Sequence, residues 1–420
     1  MFRALSFFTL LSILPRAGAF YGYMLIHCQF SSPDGHDVVY VEQFYFNKML
    51  VGQYNSTLGK MIGYTKIAMD VADVLNKNPQ FLIHEKWKTQ FCQKKAHMVY
   101  SDFLTPAEPY ITLRSVKPVD DKHPGMLICN IYSFYPKQIR VTWLRDGREV
   151  TSDVTSTEEL SDGNWLYQIH SYLEFTPRAG EKISCMVEHA SFMQPKLYDW
   201  EPVTDPGMNK LSLGIAGLLF GLVFALAGLI YYKKKSSFPH DITYMVGCFE
   251  NGTTEVQYQF DSEEVLHVDF ERQTVVFSVP RIITDDTEQF FFDMHVYKNA
   301  LKAKRVCAAF EAFLEVEKKH PQEKKDMPRS VLYPADDVQL GIKNKLICLV
   351  NDFYPPDINV SWTRNDRPVS EGVSLSRYYP NNDQTFRQFA FLTFTPREGD
   401  NYSCTVEHSA LDRPLTRIWG

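Results

Sequence analysis

At 420 residues, with 45% hydrophobic and 22% charged side chains, the chain is too long for one hydrophobic core. At about 150 residues per domain it divides into roughly three units or more. Its formal net charge of −6 gives no electrostatic reason to expect nucleic acid, and no HExxH, GxSxG, GxGxxG or Walker sequence marks an enzyme, a metal or a cofactor.

The chain opens with Arg3, an apolar run from Ala4 to Leu14 and the small residues Ala17, Gly18 and Ala19, the layout of a secretory signal peptide over residues 1–19. The run is shorter than the ~20 residues a bilayer core needs, which argues against an anchor. Secretion makes disulfides the natural use of the eight cysteines, and no CxxC suggests zinc.

Residues 20–66 are rich in aromatic and β-branched residues, as in Val38 to Phe46, are broken by a Ser31-Ser32-Pro33-Asp34-Gly35 turn, and read as adjacent strands. After Pro79, Ile83, Trp87 and Phe91 recur every four residues, which predicts a helix with that stripe inward and Glu85, Lys86 and Lys88 towards solvent. Cys28, on a strand, could then staple Cys92, on the helix.

Cys129, Trp143 and Cys185 carry the spacing of an immunoglobulin sandwich, whose Trp packs against the disulfide joining its two sheets. Shifted by 219 residues without a gap, this unit repeats: Phe134-Tyr135-Pro136 falls on Phe353-Tyr354-Pro355, Trp143 on Trp362, and Val187-Glu188-His189 on Val406-Glu407-His408. Cys348 and Cys404 keep the interval of 56 residues. His189 and His408 read as edge residues of these sandwiches, not as ligands.

Between the copies, Leu211 to Tyr232 carries no charge and as a helix spans about 30 Å, which predicts a transmembrane segment. Lys233, Lys234 and Lys235 outweigh Lys210 and place the following residues on the cytoplasmic side. Gly217 and Gly221 form a small-xxx-small pair of little weight alone. Beyond it the first plan returns: Glu255 to Asp269 and Thr274 to Val279 read as strands, and Val306, Phe310, Phe313 and Leu314 as a helix ending before Pro321. Cys248 on a strand again stands against Cys307 on a helix.

Phe-Tyr-Pro after the first sandwich cysteine, Val-Glu-His after the second, and Trp200 and Trp419 together resemble the membrane-proximal domains of MHC class II histocompatibility chains. Residues 20–108, with the Cys28 to Cys92 interval of 64 and Gly63-Tyr64-Thr65, resemble a β1 domain. Residues 240–325, with His267-Val268-Asp269, resemble an α1 domain that carries its own disulfide, and the whole is similar to the fish branch of the family.

The resemblance implies an α+β groove platform, an antiparallel sheet carrying helices, over two all-β immunoglobulin constant-type sandwiches, with one transmembrane helix. The organisation is then a signal peptide (1–19), a β1-like domain (20–108), a β2-like sandwich (109–202), a connecting peptide (203–210), the membrane helix (211–232), a basic junction (233–239), an α1-like domain (240–325) and an α2-like sandwich (326–420). It implies antigen presentation, with an α/β heterodimer, peptide antigen, T-cell receptor, helper T-cell co-receptor, invariant chain and membrane as partners. No nucleic acid, no cofactor and no catalysis are implied, and the chain is expected as a single-pass protein of the cell surface and endosomal or lysosomal membranes. Expected disulfides are Cys28 to Cys92, Cys129 to Cys185, Cys248 to Cys307 and Cys348 to Cys404. The order of segments conflicts with this plan, since residues after 235 would stay in a reducing cytosol, and two adjacent genes merged into one reading frame is the expected cause.

Classical grooves of the family hold the peptide main chain through a Trp and an Asn on the β1 helix and two Asn on the α1 helix. Counted from the helix cysteines, those positions here hold Val74, Lys95, Ala303 and Phe310, none of which makes the same bond. That departure favours a non-classical member with an atypical groove or a peptide-exchange role. A generic immunoglobulin-family adhesion receptor is the rival of another class, and it leaves the strand–helix cysteines unexplained. N-glycosylation is expected at Asn55, Asn251 and Asn359, whereas Asn401, beside Cys404, is expected to be poorly accessible.

Overall fold

A computed structural model describes residues 22–117, 125–176, 181–200, 239–249, 252–284, 291, 295–317 and 324–420, with the side chains of Ser101 and of 309–317 not described. The expected signal peptide, connecting peptide, Leu211 to Tyr232, the basic junction up to residue 238 and Asn251 lie outside these residues. Among the described residues no helix is long and apolar enough to cross a membrane.

The first unit has strands β1 (Gly22–Phe30), β2 (Val39–Phe46), β3 (Met49–Asn55) and β4 (Lys60–Gly63), followed by helices α1 (Lys66–Asn76) and α2 (Pro79–Asp102). The Thr65 side chain caps α1 by accepting from the Ala68 N–H, and Asn78 caps α2 ahead of Pro79 at its first turn. Helix α1, which the stripe after Pro79 did not announce, rests on Ala68 and Ala72 alone.

The first sandwich sets β5 (Tyr110–Lys117), β6 (Gly125–Phe134), β9 (Val154–Ser156), β10 (Leu160–Ser161) and β11 (Tyr167–Phe175) against β7 (Ile139–Arg145), β8 (Arg148–Val150), β12 (Ile183–His189) and β13 (Lys196–Trp200). The second platform unit is β14 (His240–Cys248), β15 (Thr254–Phe260), β16 (Glu263–Asp269), β17 (Thr274–Phe277) and helix α3 (Val296–Glu317). In the second sandwich β18 (Arg329–Pro334), β19 (Asn344–Phe353), β22 (Val373–Leu375), β23 (Tyr379–Pro380) and β24 (Phe386–Phe394) face β20 (Ile358–Arg364), β21 (Arg367–Val369), β25 (Tyr402–His408) and β26 (Leu415–Trp419). Disulfides Cys129–Cys185 and Cys348–Cys404 cross the two sandwiches, with Trp143 and Trp362 buried in their cores.

The two platform units share one antiparallel sheet of eight strands, in the order β17-β16-β15-β14-β1-β2-β3-β4. Strand β1 pairs with β14 over its whole length, Gly22 opposite Cys248 and Phe30 opposite His240, so each unit covers the edge the other would leave open. One apolar core runs from Cys28 and Phe30 through Phe103, Trp165 and Phe260 to Phe291, and thus through both platform units and the first sandwich. On the sheet's other face Tyr23, Leu25 and Met245 join the core of the second sandwich.

Helix α2 corrects the sequence-based stripe. Ile83 and Trp87 are 62% and 56% exposed, whereas Glu85 is 1% exposed. The buried side is Glu85, Cys92, Ala96 and Val99, with Lys88 half-buried beside them. Glu85 and Lys88 turn inward because Glu42 on β2 awaits them: Lys88 Nζ donates to Glu42 Oε1 at 2.5 Å and to Glu85 Oε1 at 2.9 Å. Helix α3 likewise starts ten residues before Val306 and buries Val296, Ala300, Ala303 and Cys307, leaving Val306 exposed.

Candidate binding cleft

The faces of the sheet follow from its register. Cys28 lies opposite Ile242, and directly paired residues share a face, as do alternate residues along a strand. Ile242, Tyr244, Val246 and Cys248 therefore face the same way as Cys28. Cys28 is bonded to Cys92 on α2 and Cys248 to Cys307 on α3, so both helices lie on one face of the sheet, anchored to opposite halves.

Met24 and Ile26 of β1, opposite Val246 and Tyr244 of β14, point to that face from the two central strands. Tyr244 and Tyr258 extend the surface beneath α3 with rings 4.6 Å apart, and Tyr54 and Glu42 extend it beneath α2. His84 of α2 is held below its ordinary pKa by burial, then by Lys88, with Glu42 opposing.

Three rings stack along α2: His84 on Trp87 at 5.8 Å and Trp87 on Phe91 at 5.5 Å, with Lys95 Nζ 5.7 Å from the Phe91 ring centre. Below them lies the charged group of Glu42, Glu85 and Lys88, which also takes the Tyr40 hydroxyl on Glu42. Burial, then the neighbouring Glu42, raises the Glu85 carboxyl above its usual range, and its Oε2 has no hydrogen-bond partner. The cleft thus combines apolar and aromatic surface with one half-buried lysine shared by two carboxylates, which suits recognition of side chains.

Residues 5–100 match the class II histocompatibility antigen beta domain, and residues 110–192 and 331–411 each match the immunoglobulin C1-set domain. The chain is 31% identical over 199 residues, 47% of its length, to the DLA class II histocompatibility antigen DR-1 beta chain of Canis lupus familiaris, covering 75% of that protein. It belongs to the class II histocompatibility antigen family. The B-L beta chain of Gallus gallus is 29% identical over 188 residues, 44% of this chain and 81% of the relative. The E-D beta chain of Mus musculus is 29% identical over 217 residues, 51% and 82% of the two chains. The class II chain is accordingly a beta-type half continued by a second sheet-and-helix unit and a second C1-set domain, in a family of non-enzymatic immune proteins.

The four groove positions picked from the class II resemblance stand apart. Val74 on α1 is 69% exposed, Lys95 lies against Phe91, Ala303 is 6% exposed against the sheet, and the Phe310 side chain lies outside the described residues. An ungapped count from Cys307 therefore falls on core at Ala303. Asn299, one turn earlier on α3, carries a carboxamide whose Oδ1 accepts from Lys302 Nζ at 3.4 Å.

Of the sequons, Asn359 is exposed with its amide 3.1 Å from Glu407, and Asn55, the last residue of β3, is half-buried and accepts from the Thr57 N–H. Asn401 is exposed, contrary to the expectation drawn from Cys404, because neighbours along a strand point to opposite faces and this residue precedes β25 altogether.

Proposed function

We propose that this class II chain presents antigen by holding an extended peptide between α2 and α3 for inspection by T-cell receptors. The observation that carries the reading is the pair of strand–helix disulfides leaving one face of a single continuous sheet, since a cleft between two pinned helices is the form that accepts an extended chain. The beta-type half and its α-like companion act as an α/β heterodimer. The co-receptor and invariant chain are further partners, and Leu211 to Tyr232 spans the membrane of the cell surface and endosomal compartments. Acid elution of the complex from expressing cells tests the proposal: a set of peptides with shared anchor residues is expected, and an empty eluate from stable complexes overturns peptide presentation.

A non-classical role is the second reading. It is favoured by the exposed Trp87 stacked between His84 and Phe91, and by the lack of side-chain amides at Val74 and Lys95. In that case the eluate is sparse, and the protein accelerates peptide release from classical class II partners.

A further inference from the structure

On the sheet face away from the helices, a cavity of about 780 Å³ lies between β15, β16 and the two sandwiches. It belongs neither to the cleft nor to the smaller amide-lined cavity of about 340 Å³ beneath β1 and β2. Glu255 forms part of its wall from β15, at 9% exposure. The adjacent Gln257 Nε2 donates to the Tyr378 carbonyl at 2.7 Å, tying β15 to the second sandwich at this wall. Glu255 Oε1 is buried with no hydrogen-bond partner.

The remaining carboxylates of the wall are occupied. Glu263 takes the Tyr167 hydroxyl, and Glu264 takes His267 Nδ1 at 2.7 Å, Tyr379 at 3.0 Å and the Ser278 hydroxyl. Arg387 is likewise engaged, donating to the Ser262 carbonyl at 2.6 Å. Among the described residues no three of His, Cys, Asp and Glu are grouped to hold a metal ion, and Arg377 of the wall, although its charge reaches Glu255, makes no hydrogen bond to Oε1. Aromatic residues make up much of the remaining wall, among them Tyr378, Tyr379 and Phe277. A buried acceptor beside aromatic surface fits a ligand that brings its own donors and positive charge.

We propose that this cavity is a binding site for a compact organic amine, whose ammonium group donates to Glu255 Oε1 and whose apolar body lies among the tyrosines. The inference does not depend on what the cleft holds. Bound there, the amine ties β15 to residues 375–379 and so couples the platform to the second sandwich.

The test is equilibrium dialysis of the purified complex of the two halves against 2-phenylethylamine and its uncharged counterpart 2-phenylethanol. The amine is expected to bind at one site and at least about tenfold more tightly than the alcohol, the value of one charge-assisted hydrogen bond. Glu255→Gln should remove that preference. Leu375→Arg, a change at an exposed residue of the cavity wall that leaves the core untouched, should weaken the amine by a similar factor through like-charge repulsion. Equal binding of amine and alcohol, amine binding unchanged in both variants, or no saturable amine binding overturns the proposal.

Discussion

The indole Nε1 of Trp165 donates a 2.7 Å hydrogen bond to the main-chain carbonyl of Glu264, joining the first sandwich to the second half of the platform. Trp165 is fully buried, its ring packed against those of Phe103 and Phe260. Trp165→Phe keeps an aromatic ring there and leaves a buried carbonyl without its donor, at a cost of about 1–3 kcal/mol. A lower urea midpoint with an unchanged slope is the expected result; an unchanged midpoint contradicts it.

Among the described residues, Lys88 is the only cation bonded to Glu42 and Glu85. Lys88→Met leaves two carboxylates buried against each other and should cost about 3 kcal/mol, the lower end for a broken buried pair because a quarter of the Lys88 side chain reaches solvent. Adding Glu85→Gln should recover part of the loss. Denaturant melts of the single and double variants check both signs.

Burial pushes the Glu255 carboxyl up to about 7, with Arg377 opposing and Glu264 adding to the shift. A raised acid binds its proton more tightly in the folded chain, so its contribution is greatest below the ordinary carboxyl range and is lost as pH rises through 7. The span amounts to about 3 kcal/mol. Glu255→Gln should therefore stabilise the protein at pH 7.5 and match the parent near pH 4; stability curves that stay parallel across that window contradict this account.

Gly163, at φ +73°, turns beneath Phe391 of the second sandwich, and a Cβ built there would stand 2.6 Å from the ring's Cζ. Gly163→Ala should cost about 1–3 kcal/mol through strain and overpacking, measured as a fall in the thermal midpoint.

The two halves are expected to be made as separate polypeptides. Two transcripts and no intact 48.6 kDa chain on a reducing gel are the expected observations, and one full-length transcript translated into one chain contradicts them.

The sandwiches were legible because their signals are local and occur twice: Trp143 and Trp362 sit where the 219-residue repeat places them, each in the core its disulfide crosses. The helix faces were not. A window around Glu85 and Lys88 shows only charge, and the partner that draws them inward, Glu42, lies 46 residues from Lys88 in sequence. Ala303 and Ala300 failed for the opposite reason: small side chains give a weak periodic signal although they allow α3 to sit close on the sheet. The Glu255 site could not be read at all, because its wall draws on three stretches of chain that meet only in the fold.

Trp165 of the first half finishes the underside of the second, and Tyr23 of the first half is sealed beneath Phe386 of the second, with ring centres 5.5 Å apart. Each half is therefore a partly built molecule when alone, with an apolar wedge or socket open to water and an unpaired strand at β1 or β14. Such surface is what chaperones hold and proteases clear, so survival of either half in the cell is set by the supply of the other.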